Sequence, residues 1–286
     1  MTKFDINTDL LKNTLGLSCV ENLLTYILRA NNISLYPLYA NSFLTYSEVE
    51  NALTTQQETY ATFSSLARIQ HIAEKEGIIK IKLIDSPELP LTCDDHYLIV
   101  MVAPDFAKDK YKKVLWRDDH YILVSQSTEN TLNYINDNPL DTGKMSFGEL
   151  QHYYAGHAIA ISIENTCYFN SIEHYVETFL HSCKIDVSNK ELNSYDVMML
   201  RDIVGILKIL RRRAYALVSF VYDVDYMIDY FKLLDHKYTV LEYMRIRKQY
   251  DPVKLKQIRD EIIAEDTTLI NKLLLDTRSL TEIVLQ

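Results

Sequence analysis

Glycine and proline are scarce, six of each in 286 residues, which excludes collagen-like repeats and leaves no material for a long flexible linker. Cysteine is also sparse. Cys19, Cys93, Cys167 and Cys183 form no CxxC pair and have no histidine at finger spacing, so no metal site is expected. No apolar run approaches the ~20 residues that a bilayer-crossing helix requires. The most hydrophobic helical stretch, near 196–221, is interrupted by Arg201, Asp202, Lys208 and Arg211 to Arg213. The first ten residues lack the basic start and apolar core of a secretory signal. A cytoplasmic protein with free thiols and no membrane partner is therefore expected. GxGxxG, Walker and HExxH patterns are missing too, which removes support for nucleotide binding and zinc hydrolysis.

What is present has globular proportions, with 48% hydrophobic and 24% charged residues. The net charge of −9 is unevenly divided. Residues 1–165 carry 13 Lys+Arg against 21 Asp+Glu, or −8, and residues 166–286 carry 17 against 18, or −1. An acidic first half argues against nucleic acid there and suits a cationic ligand.

Periodicity divides the chain in the same way. The first half mixes helices with short β-branched or aromatic runs bounded by turns: 78–84, 96–103, 120–126, 131–135 and 157–163. Helices are predicted from Cys19 to about Asn31, over 57–76 and briefly over 146–154. From about 168 the apolar residues follow three- and four-residue steps, as at Val197, Leu200, Val204 and Leu207. Asp251-Pro252 reads as the N-cap and first position of the last long helix. The expectation is an α+β domain over 1–167 and an all-helical domain over 168–286 packed on it. One echo links 94–100 (DDHYLIV) with 118–124 (DDHYILV), a similarity that two neighbouring strands of one sheet can produce.

A thiol nucleophile needs a lowered pKa, a base beside it and a group that orients the base. Cys19 follows the turn-like Gly16-Leu17-Ser18 and opens an apolar helix, whose first amides favour a thiolate. His120 begins a strand, and the next strand ends in Asn136-Asp137-Asn138-Pro139. Antiparallel pairing would bring Asp137 to the His120 ring, fixing its tautomer and stabilising an imidazolium. Asn13 could supply an oxyanion donor. Glu21 could face a substrate or favour the helix start. His96 is the rival base, without an equivalent acidic turn after its strand. Taken singly, a cysteine at a helix start is more often a packed small residue, and a strand-edge histidine is common.

The motif Gly16-Leu17-Ser18-Cys19-Val20-Glu21-Asn22 resembles the start of the BtrH-type family, named from the butirosin-biosynthesis acyltransferase. His96 to Val100, Trp116, Asp118 to Val124 and Asn136-Asp137 are similar as well, and resemble the bacteriocin-processing peptidase domains of peptide exporters. The resemblance covers roughly the first half. It implies a papain-like cysteine-peptidase fold, with Cys19 as nucleophile, His120 as base and Asp137 as orienting acid. It further implies transfer of an acyl group from the phosphopantetheine thioester of an acyl or peptidyl carrier protein to an amine, with no bound cofactor. Val20 stands where the exporter peptidases have Gly, which weighs against peptidase activity. Asn13 stands where papain-like enzymes usually have Gln.

The leading expectation is an acyltransferase of natural-product biosynthesis acting on an amine-bearing small molecule or peptide. Asp118 and Asp119 would attract a cationic acceptor. Arg211, Arg212, Arg245, Arg247 and Lys248 would meet an acidic carrier, unless they simply form a solvated helix face. A hydrolase of the same fold, peptidase or thioesterase, and a catalytically silent binding protein are the alternatives.

Overall fold

In a computed structural model the chain is described at residues 6–11, 14, 17–33, 35–55, 59–64, 66–75, 77–90, 96–113, 115–128, 130–164, 196–219 and 223–284. It divides into two compact units, one made of 1–12, 17–35 and 70–169, the other of 13–16, 36–69 and 170–286. The second unit thus takes in residues 36–69. The division falls within the helix Leu66–Lys75.

The first unit is built on one antiparallel sheet. Its strands are β1 (Ile79–Asp85), β2 (Tyr97–Val102), β3 (His120–Thr128), β4 (Thr131–Asp137), β5 (Leu140–Ser146) and β6 (Tyr154–Ile163), in the order β1-β6-β2-β3-β4-β5. The echoed segments are hydrogen-bonded neighbours, β2 on β3, with Leu98 opposite Val124 and Val102 opposite His120. Residues at every second position of the central strands, Leu98, Val100, Val102, Ile122, Val124, Leu132 and Tyr134, point into one core with Phe106 and Leu150. Helix α1 (Cys19–Ala30) packs against β2, β3 and β4 and buries Leu23, Leu24 and Ile27. β5 escaped the sequence reading because LDTGKMS is polar and mostly half-exposed, as suits a strand at the sheet edge. Gly143 on it is obligatory: it lies opposite Tyr134, and an added Cβ would come within 2.8 Å of that ring.

The second unit is helical. Its main elements are α2 (Tyr46–Thr55), α3 (Asp196–Val218), α4 (Tyr226–Arg247) and α5 (Pro252–Val284). Asp251 accepts the amides of Val253 and Lys254, and Pro252 opens α5, as its fixed φ and missing N–H favour. α4 and α5 form an antiparallel hairpin, tied by Lys237 to Glu261 at 2.5 Å and by the Tyr230 hydroxyl donating to Asp266 at 2.8 Å. Arg211 is fully buried and donates through Nε and Nη2 to both Asp266 oxygens, at 2.8 and 2.7 Å, and to the carbonyls of Ser42 and Leu44. No helix among the described residues is long and apolar enough to cross a membrane.

Candidate active site

Ser18 is the N-cap of α1, and its hydroxyl accepts the amide of Glu21. The Glu21 carboxylate in return accepts the Ser18 amide at 3.3 Å and hydroxyl at 2.8 Å. This reciprocal box fixes the helix start, so that Cys19 is the first helical residue. Glu21 is 7% exposed, and its carboxylate closes the cap. The amides at the first turn have no intrahelical acceptor, and they create the positive end of the helix at the half-exposed thiol.

His120 is buried at the start of β3. Its neighbour β4 runs antiparallel, with Leu123 opposite Ile135, and continuing that register sets 120 beside the end of β4. The outcome is a ring whose Nε2 lies 2.8 Å from Asn136 Oδ1 and 3.2 Å from Asp137 Oδ1. Nε2 faces those two side chains, and Cys19 lies near enough for its charge to act on the ring. Burial pulls the imidazole down, but Asp137 at 3.2 Å and Cys19 beside the ring outweigh it, and His120 is raised to about 9. At neutral pH the ring is an imidazolium, the partner a thiolate requires.

Asp137 and Asn136 arrive from opposite faces of β4 because successive strand side chains alternate. Asp137 is braced from α1: Asn22 Nδ2 donates to its Oδ2 at 2.6 Å, three residues after the thiol. Asn136 is fully buried and its amide donates to the Tyr111 hydroxyl at 3.1 Å and the Pro139 carbonyl at 2.7 Å. Tyr111 and Tyr134 both donate to Asp141, at 3.1 and 2.7 Å, and burial together with that carboxylate raises both phenols. The chain from Asp141 through Tyr111 to Asn136 holds the amide oxygen on the ring. Trp116 lies flat on His120 and donates Nε1 to the Asn138 carbonyl at 3.0 Å.

The structure therefore brings Cys19, His120 and Asp137 together and adds three positioning residues, Asn22, Asn136 and Trp116. Asn136 was detectable in the sequence as a polar residue at an inward position, two after Tyr134. Asp118 and Asp119 are exposed in the segment leading to His120. His96 precedes β2, whose antiparallel pairing puts it at the far end of the sheet from His120. Asn13, Cys93, Cys167 and Cys183 lie outside the described residues.

The basic residues expected to meet a carrier have separate fates. Arg211 is buried against Asp266 and is unavailable to any partner, because the helical period aligns it with Val204 and Leu207 on the inward face of α3. Arg212 pairs with Asp235, and Arg245 with Glu242. Arg247 and Lys248 are exposed at the end of α4. Among the described residues no group of three His, Cys, Asp or Glu side chains could hold a metal ion. Neither a family model nor any curated protein matches the chain.

Proposed function

We propose that this protein is a papain-like cysteine acyltransferase that moves an acyl group from a thioester to an amine through an acyl-enzyme on Cys19. One observation carries the reading: a thiol at a capped helix start acts electrostatically on an imidazole that Asn136 and Asp137 hold from behind. These are the three parts, nucleophile, base and orienting group, that acyl transfer through a thiol needs.

In the first half-reaction the Cys19 thiolate attacks the thioester carbonyl carbon. The bond from that carbon to the donor sulfur breaks, and the departing thiolate takes the His120 proton. The Cys19 amide, first in the helix, is a donor for the developing oxyanion. In the second, an amine attacks the acyl-enzyme while neutral His120 accepts its proton. Cys19 leaves as thiolate, and the imidazolium–thiolate pair is restored. Asp118 and Asp119, exposed beside the histidine, suit an ammonium-bearing acceptor. A carrier protein's phosphopantetheine thioester is the proposed donor.

The test is intact-protein mass spectrometry after incubation with a panel of acyl thioesters, followed by addition of an amine or buffer alone. The expected result is an acyl adduct that Cys19→Ala abolishes and that amines discharge faster than water. Equal discharge would make the protein a hydrolase of the same chemistry. A thioester panel that leaves Cys19 unmodified would remove the acyl-enzyme altogether.

A further inference from the structure

Ten large hydrophobic side chains are exposed among the described residues, and four of them fall within eleven positions. They are Tyr243 (53%), Ile246 (64%), Tyr250 (49%) and Val253 (78%), all at the tip where α4 turns into α5. The turn itself is tight: Lys248 takes the left-handed conformation, φ 51°, and closes α4, and Asp251 caps α5. The apolar side chains are therefore presented, exposed, at the tip of a tightly turned hairpin.

The same stretch is basic. Residues 242–256 hold Arg245, Arg247, Lys248, Lys254 and Lys256 against Glu242 and Asp251, or +3 in a chain of −9. Both acids are engaged internally, Glu242 by Arg201 and Arg245, and Asp251 by the amides it caps. Arg247, Lys248, Lys254 and Lys256 are exposed, and Arg247 lies over the Tyr243 ring at 5.3 Å.

We infer that this hairpin tip docks on an anionic phospholipid surface, with Ile246 and Val253 entering the acyl boundary and the basic side chains meeting the headgroups. Three features favour lipid over a protein partner. Tyrosine beside aliphatic residues, ringed by long cations, is the composition of interfacial anchors, whose stems lie along the apolar layer while their charges reach water. Lysine, three of the five cations here, is depleted in protein–protein interfaces. Exposed side chains at a hairpin tip would need a matching hollow in a protein, whereas a fluid bilayer moulds to them. The acidic remainder of the chain opposes adsorption elsewhere, so the contact is confined to this end.

The experiment is co-sedimentation of the full chain with vesicles of phosphatidylcholine alone or mixed with phosphatidylserine. Sedimentation is expected with the anionic vesicles only, and it should fade as salt is raised. Replacing Arg247→Ser and Lys248→Ser should weaken partitioning by about fivefold for each charge removed. The pair Ile246→Ser and Val253→Ser should abolish it with circular dichroism unchanged, because both side chains are exposed. Cys19→Ala should bind as the parent does, which separates this surface from the acyl-transfer reading. Absence of sedimentation, or equal sedimentation of the tip variants, overturns the inference. So does tip-dependent binding of a purified acyl carrier protein without vesicle binding, which would assign the surface to a protein partner.

Discussion

The indole of Trp116 covers the His120 imidazole with ring centroids 3.9 Å apart and planes 16° from parallel. A cationic ring under an indole is favoured over a neutral one, so the stack supports the charged state that Asp137 and Cys19 promote. Trp116 is also the sole tryptophan of the chain, which makes fluorescence a reporter of this one site. Since an imidazolium quenches indole emission, intensity should rise with a midpoint at about 9. In Cys19→Ala the midpoint should fall toward 6.5, the ordinary histidine value. A midpoint unmoved by that substitution would disconnect the thiol from the ring.

His120 is expected to be indispensable and His96 dispensable, because antiparallel pairing of β2 with β3 sends them to opposite sheet ends. His120→Ala should lower the acylation rate by about 10²–10⁴-fold, the usual contribution of a positioned acid–base group. His96→Ala should leave most of it. The comparison is made by single-turnover adduct formation, and the reverse ranking would move the site.

Limiting iodoacetamide near neutral pH should label Cys19 ahead of the other three cysteines. It stands at a capped helix start beside His120, the setting in which reactive cysteines are found. Peptide mapping reads the order of labelling. Ser18→Ala should slow labelling of Cys19 and cost about 1 kcal/mol of stability through loss of the cap.

The His120 charge also links stability to pH. A group raised from 6.5 to about 9 contributes stability that is whole below 6.5 and is lost as pH climbs through 9. The melting-temperature gap between the parent and His120→Gln should therefore be widest near pH 6 and close by about pH 10. A gap that grows with pH would mean that the folded protein holds the ring neutral.

In the helical unit, the Arg211–Asp266 pair should behave as a buried ion pair. Asp266→Ala leaves the guanidinium unpaired and should cost about 3–5 kcal/mol in urea unfolding. Arg211→Met together with Asp266→Leu should recover part of the loss, since neither charge of the pair then remains inside, while the Tyr230 hydroxyl and the Ser42 and Leu44 carbonyls lose these partners.

Features set by local chemistry were legible in the sequence. The start of α1 at Cys19, the β3–β4 pairing and the Asp251-Pro252 opening of α5 each rest on a few adjacent residues with one strong preference. Features set by tertiary context were not. The Arg211–Arg213 triplet reads as a solvated tract, yet Asp266, 55 residues away, admits Arg211 to the interior. β5 is an edge strand with a glycine, which pattern alone takes for a loop. Asn136 has its meaning only through Tyr111 and the ring it faces, contacts that no spacing discloses.

The register of β3 on β4 has a consequence for biosynthesis of the protein itself. One residue of slip moves a strand by about 3.4 Å and turns every side chain to the opposite face. Asn136 and Asp137 would then exchange sides beneath His120, and the Asn22 brace from α1 would find no carboxylate. A nascent or misregistered chain thus lacks the assembled site, which emerges only when helix and hairpin have locked together. On the proposed function, Cys19 is in this sense withheld from chemistry during folding, when stray acylation or oxidation would be hardest to avoid.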